Sequence, residues 1–288
     1  MRGLAACRQQ SSRTLDGLAV RLALRRGWDD LILPADRVAH LRDICAQVCY
    51  RYQVLGRWGF GARLGHGTGL SVLFSGPPGT GKTMAAEVVA GDVDLDLYKV
   101  DLSGVVSKYI GETEKNLARI FAEAGTSNAI LFFDEADALF GKRTEVSDAH
   151  DRYANIETSY LLQKMEEYDG AVILATNLRQ NLDEAFVRRI RFVVEFPFPE
   201  ADSRARIWRT LLPAQVPVSP DVDFALLARE YPVAGGSIKN IVLNAAFLAA
   251  ADGGVIGSRH ILRGTRREFE KIGKLWPEPD PLTMPTAG

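Results

Sequence analysis

The stretch Gly76-Pro77-Pro78-Gly79-Thr80-Gly81-Lys82-Thr83 spaces its residues as G-x-x-x-x-G-K-[ST], a pattern suited to cradling the phosphates of a nucleotide. Glycines let backbone N–H groups face the phosphate oxygens, and a helix start just beyond adds favourable positive potential. The Lys82 ammonium would neutralise the β and γ oxygens, and the Thr83 hydroxyl would ligate Mg²⁺. A surface turn rich in glycine has a similar composition. It would not need the apolar run Leu70–Phe74 directly before it and a helical pattern from Met84 directly after it. The expected ligands are therefore ATP or ADP with Mg²⁺, held by Pro78, Gly79, Thr80, Gly81, Lys82, Thr83 and Met84.

A second apolar run, Ala129–Phe133, ends in Asp134-Glu135. Two carboxylates at the end of a buried strand stand where ligands of open α/β sheets bind. Asp134 can hold Mg²⁺ through water, and Glu135 can polarise an attacking water. A third run, Ala171–Ala175, delivers Thr176 and Asn177 to the same edge. An Asn after a strand is by itself a turn residue. Converging with two other strand ends, it can orient the lytic water or sense the γ-phosphate.

These residues need a scaffold that brings strand ends together, and the chain's patterning supplies one. Further apolar runs lie at Leu97–Leu102 and Phe192–Phe196, with helical patterns between them. The clearest places Leu117, Ile120, Phe121 and Ala124 at i, i+3, i+4 and i+7. Strands alternating with helices specify a parallel sheet covered on both faces. After Pro197-Phe198-Pro199 the strand patterns stop, and helical segments follow near 201–212, 222–230, 237–251 and 258–272. The expected organisation is a linker or truncated upstream segment over 1–27, a large α/β nucleotide-binding subdomain over 28–198, a helical lid over 199–273 and a disordered tail over 274–288.

With 288 residues, 47% of them hydrophobic and 25% charged, the chain has the make-up of a globular protein with a substantial core. Thirty-five Lys and Arg against 36 Asp and Glu leave a formal charge of -1, so nucleic acid and membrane surfaces are not expected partners. Three cysteines, Cys7, Cys45 and Cys49, suggest a reducing, cytoplasmic setting rather than a disulfide framework. Leu4-Ala5-Ala6-Cys7 looks like a lipoprotein cleavage site, but the apolar stretch ahead of it is too short for a signal peptide. No run approaches the ~18 apolar residues of a membrane span, and no H-E-x-x-H metal helix occurs.

Taken in order, the phosphate loop, Leu131-Phe132-Phe133-Asp134-Glu135-Ala136-Asp137 and Ala175-Thr176-Asn177 resemble the AAA subgroup of AAA+ ATPases, from about Trp28 to Lys271. The resemblance implies a P-loop fold: a five-stranded parallel sheet sandwiched by helices, followed by a small all-helical lid. It also implies hexameric rings with ATP between subunits. Trp28-Asp29-Asp30-Leu31 is similar to the family's adenine-contacting segment, which assigns base contacts to Asp30 and Leu31. Ile207 and Gly235-Gly236 stand where the family's lid packs against the base.

Leu182 to Phe192 resembles the family's second region of homology, whose two arginines reach the neighbouring subunit's γ-phosphate; here they are Arg188 and Arg191. The chain departs from that pattern at Arg189-Ile190 and at Val193. Lys108-Tyr109-Ile110-Gly111-Glu112 resembles the pore loop that grips a polypeptide client, with Tyr109 and Ile110 as the gripping pair. On its own such a tripeptide reads as core packing. Phe140-Gly141-Lys142-Arg143, Asp148 to Tyr153 and Val194 to Pro199 most resemble bacterial AAA ATPases encoded beside phage-tail-like contractile injection systems. Such proteins commonly carry a long region ahead of the ATPase module, and that region is expected to be absent here.

The leading expectation is a ring subunit that hydrolyses ATP to remodel, unfold or disassemble a protein client. One alternative is a nucleotide-gated assembly scaffold with little turnover, against which Glu135 argues. Another is a DNA-acting AAA+ loader, for which the sequence offers no basic stripe.

Overall fold

The computed structural model describes residues 18–64, 69–105, 111–127, 129–138, 149–178 and 184–276. Two compact units emerge: Met1–Pro77 with Gly81–Pro197, and Pro78–Thr80 with Phe198–Gly288. In chain order the first unit contains β1 (Ala19–Arg21), α1 (Ala35–Arg51), α2 (Phe60–Leu64), β2 (Leu70–Ser75), α3 (Lys82–Asp92), β3 (Leu97–Asp101) and α4 (Leu102–Val105). It continues with α5 (Glu112–Ser127), β4 (Ile130–Asp134), α6 (Ala149–Glu167), β5 (Ala171–Thr176), α7 (Glu184–Val187) and β6 (Phe192–Glu195). A π-helical turn, Tyr52–Arg57, prolongs α1.

The strands form one sheet in the order β1-β3-β4-β5-β2-β6. All neighbours among β2 to β6 run parallel, while the short β1 pairs antiparallel with β3. The five parallel strands are those expected from the apolar runs. The sixth, β1, has only three residues, two of them exposed, so no apolar run marks it; main-chain pairing and an Arg21–Asp96 ion pair (2.6 Å) hold it to the edge.

Because side chains alternate across a strand, each parallel strand feeds two cores. Leu73, Val100, Leu131, Phe133, Val172 and Leu174 point to one face, where the stripe Leu117, Ile120, Phe121 and Ala124 of α5 and Leu161 and Met165 of α6 cover them. Val72, Phe74, Leu97, Ile130, Phe132 and Ile173 point to the other, under Leu41 and Ile44 of α1 and Ala85, Ala86 and Val89 of α3. Every residue of β2 and β5 is buried, as befits central strands packed on both faces.

The second unit is helical: α8 (Ala201–Thr210), α9 (Phe224–Glu230), α10 (Gly235–Ala250) and α11 (Ser258–Lys271). Trp208, Ile238, Ile241, Ala245, Ile261 and Phe269 belong to its core. Asp223 caps α9 by accepting from the N–H groups of Ala225 and Leu226. Trp276, assigned to the tail by its proline-rich surroundings, packs with its ring 5.3 Å from Tyr231 and 5.8 Å from Phe269. Among the described residues no helix is long and apolar enough to cross a membrane.

Phe132, fully buried in β4 two residues before Asp134, tests the two-core account. Phe132→Ala should lower unfolding free energy by about 3–5 kcal/mol in a urea titration; a loss below about 1 kcal/mol would contradict it.

Candidate functional site at the carboxyl edge of the sheet

The pairing of β2 with β5 runs from Leu70 opposite Ala171 to Ser75 opposite Thr176. It brings the phosphate loop and Asn177 out side by side. Gly76 N–H donates to Thr176 O (3.2 Å), and Phe196 N–H donates to Ser75 O (2.7 Å). Gly76 sits at φ +150°, and a Cβ there would overlap Phe196 O. Only glycine lets the loop leave the sheet so close to the chain after β6. Gly81, at φ +102°, turns the chain into α3, and its carbonyl accepts the N–H of Ala85 (2.9 Å).

Lys82 is 8% exposed. Its ammonium donates to Gly76 O (2.7 Å), Pro77 O (3.0 Å) and Asn177 Oδ1 (2.8 Å). Burial pulls its pKa below the usual lysine range, and the charges of Asp134 and Asp137 pull it back. Lys82 and Asn177, ninety-five residues apart, thus meet directly. Thr83, half-buried, follows in the first turn of α3, and Met84 packs against the core beneath it.

Asp134 closes β4. Its Oδ1 accepts from Glu135 N–H (3.0 Å) and its Oδ2 pairs with Lys99 Nζ (2.6 Å). Glu135 is exposed and adopts φ +53°, a left-handed conformation that costs a non-glycine residue free energy. A Thr83 hydroxyl and an Asp134 carboxylate are hard oxygen donors of the kind Mg²⁺ takes, with waters and nucleotide phosphates supplying the rest. Among the described residues no group of three or more His, Cys, Asp or Glu could hold a metal ion.

Two residues without an assigned role prove central. Asp137 accepts from the Thr176 hydroxyl, from Asn177 N–H (3.1 Å) and from Leu178 N–H (3.3 Å). It thereby ties the turn after β4 to the end of β5. It sits three residues after Asp134, on a 3₁₀ turn Ala136–Ala138, and its role comes from partners about forty residues away that its own neighbours in sequence do not name. Lys99 lies in β3, where only its charge within an apolar run distinguishes it.

Leu31 is buried, with its Cδ1 3.8 Å from where a Cβ on Gly81 would sit. The Asp30 carboxylate accepts from Gly27 N–H (2.9 Å) and so serves its own turn. Within the second unit, Gly236 N–H donates to Gly79 O (2.9 Å), and Ile207 Cδ1 lies 3.7 Å from a Cβ position on Gly235. Pro78 is exposed and Thr80 half-buried.

Arg188 and Arg191 are exposed, and Arg191 N–H donates to Ser71 O (3.1 Å) at the opposite end of β2. Five residues of strand, about 16 Å at ~3.3 Å each, separate that point from Gly76. This exceeds what an arginine side chain spans, so Arg191 stands away from the chain's own phosphate loop. Tyr109 and Ile110 lie outside the described residues, as do Phe140 to Arg143.

Residues 72–200 match the model of the ATPase family associated with various cellular activities (AAA). An ATP-dependent zinc metalloprotease FtsH 3 from Sphaerobacter thermophilus is 38% identical over 205 residues, covering 67% of this chain and 40% of that protein. A proteasome-activating nucleotidase 1 from Haloferax volcanii is 36% identical, covering 63% of this chain and 46% of its own. The 26S proteasome subunit RPT4 of Saccharomyces cerevisiae is 34% identical, covering 63% and 43%. The chain spans less than half the length of these curated relatives.

Removing Asp137 strands the fully buried Thr176 hydroxyl and the Asn177 N–H, whereas Leu178 N–H keeps Thr176 Oγ1 (3.1 Å) as an acceptor. Asp137→Ala should cost about 1–3 kcal/mol of stability and, by loosening Asn177, reduce turnover roughly ten- to hundredfold, with ADP affinity within a few-fold by calorimetry. Unchanged turnover would show that Asn177 does not depend on this tie.

Proposed function

We propose that this chain, whose residues 72–200 match the AAA ATPase family model, is an ATP-hydrolysing subunit of a homo-oligomeric ring that remodels or unfolds a protein client. The observation that carries this reading is the contact of Lys82 with Asn177 (2.8 Å) beside Asp134-Glu135. A phosphate-binding cation, a neutral amide and two carboxylates on one sheet edge are what phosphoryl transfer to water requires, since that chemistry is mostly positioning and charge stabilisation.

In the proposed reaction Lys82 neutralises the β and γ oxygens, and Asn177 orients a water in line with the γ-phosphorus. Glu135 accepts a proton as the water oxygen attacks; the bond from the γ-phosphorus to the β–γ bridging oxygen breaks, and ADP leaves with that electron pair. Mg²⁺, held by Thr83 and through water by Asp134, would neutralise the charge developing on the phosphates. Asp30 and Leu31 flank the base by resemblance.

The distance between Arg191 and the chain's own loop supports a site completed by Arg188 and Arg191 of a neighbouring copy. A contact between two different surfaces of identical chains closes into a ring when the rotation fits; six subunits is the expected number. Relatives named as an ATP-dependent protease and a proteasome-activating nucleotidase support a protein client, which Tyr109 and Ile110 would grip. The resemblance of Asp148 to Tyr153 and Val194 to Pro199 to ATPases encoded beside contractile injection systems supports such a system as the source of that client. Sparse cysteines and the near-neutral charge favour a cytoplasmic setting without nucleic acid.

Steady-state ATP hydrolysis with Mg²⁺ across a wide range of protein concentration tests the reading. Activity per subunit should rise with concentration. Glu135→Gln should bind ATP yet turn over at least about a hundredfold more slowly, and Arg188→Ala should lose about 10³- to 10⁵-fold. Activity independent of concentration and of Arg188 would overturn the shared site.

A further inference from the structure

Asp134, the carboxylate expected to hold the divalent cation, has both oxygens engaged. Oδ1 accepts from Glu135 N–H (3.0 Å), and Oδ2 lies 2.6 Å from the Lys99 ammonium. The pairing follows from strand geometry. In the β3–β4 register Lys99 faces Phe132 and Asp101 faces Asp134. Leu97 and Phe132 share one core, so by alternation Lys99 and Asp134 lie on that same face, as diagonal neighbours within reach of a long side chain. Their side chains are 36% and 22% exposed, so the pair is partly shielded from solvent screening without being desolvated. As a stability element it is worth little. Its place is what matters: the ammonium sits on the carboxylate expected to hold the divalent cation.

We infer that Lys99 is a resident counter-ion for Asp134, exchanged for the divalent cation when metal and nucleotide bind. This deepens the ATPase reading and rests on it. A nucleoside triphosphate approaching Lys82 also approaches Asp134, whose negative charge repels the phosphates. The Lys99 ammonium offsets that charge. A divalent cation held near Asp134 would supply that neutralisation instead, and Lys99 would compete with it for the same carboxylate. Lys99 therefore favours metal-free nucleotide and opposes the metal. By linkage, it weakens the coupling between ATP and Mg²⁺ binding, and the effect is reciprocal. The residue acts through Asp134 and is a positioning residue, not a catalytic one.

The test measures binding without turnover. A fluorescent ATP analogue is titrated onto the full chain in EDTA and again across a Mg²⁺ series, for the native protein, Lys99→Met, Lys99→Arg and Lys99→Met with Asp134→Asn. Manganese affinity of the ADP-bound protein is read by electron paramagnetic resonance. For Lys99→Met the metal-free affinity should fall about fivefold and the metal affinity should rise by about the same factor, a size typical of a partly exposed pair. Both effects should shrink at high salt, Lys99→Arg should retain native values, and Asp134→Asn should abolish the dependence on Lys99. Lys99→Gln replaces the methionine variant if that does not fold.

Unchanged affinities in Lys99→Met, or lower stability with native metal coupling, would overturn the proposal and leave a cross-strand pair. A fall in metal affinity would also overturn it. Native protein that binds no nucleotide under either condition would instead remove the ATPase reading on which the proposal stands.

Discussion

Six backbone-paired positions, from Leu70 opposite Ala171 to Ser75 opposite Thr176, determine where the chemistry can occur. A slip of one residue between β2 and β5 would turn every side chain of one strand to the other face. Both strands are buried on both faces, so such a slip is resisted by two cores at once. With the register held, Gly76 and Asn177 emerge next to one another, and the Lys82 ammonium finds Asn177 Oδ1 at 2.8 Å. The tight passage of Gly76 past Phe196 O adds the third strand, β6, to the same constraint.

Charges of both signs meet near this edge. Lys82 and Lys99 are the cations; Asp134 and Asp137 are the anions that reach Lys82 through space. Burial disfavours the Lys82 charge, and the two aspartates restore part of what burial removes. Asp137 spends its oxygens on Thr176, Asn177 and Leu178 and so converts an electrostatic neighbour into a mechanical tie. Asp134 is braced between Lys99 and the N–H of Glu135, whose backbone is left-handed. Removing any one of these groups changes the environment of the others, so effects of paired substitutions will not add.

The arginine-bearing segment obeys a different geometry. Arg191 N–H bonds to Ser71 at the start of β2, whereas the phosphate loop leaves its end. A rigid parallel strand lies between them, and no side-chain rotation closes that gap. If Arg191 acts on a γ-phosphate, a second copy must present it.

Local patterns determined much of this from sequence. G-x-x-x-x-G-K-[ST] between an apolar run and a helix, Asp134-Glu135 after another run, and the five runs themselves depend on neighbours within a few residues, so period and composition report them. Asp137 and Lys99 could not be read this way. Each gains its role from a partner on another strand, Thr176 and Asn177 for one and Asp134 for the other, and only register decides which distant residues meet. The strand Ala19–Arg21 escaped for the same reason: three residues with little burial carry no periodic signal, and pairing with β3 alone makes them a strand. Trp276 looked like part of a proline-rich tail until Tyr231 and Phe269 supplied an aromatic surface for it. Short-range order was thus set by the amino-acid sequence directly, whereas contacts between residues tens of positions apart were decided by strand pairing and packing, which exist only in the folded chain.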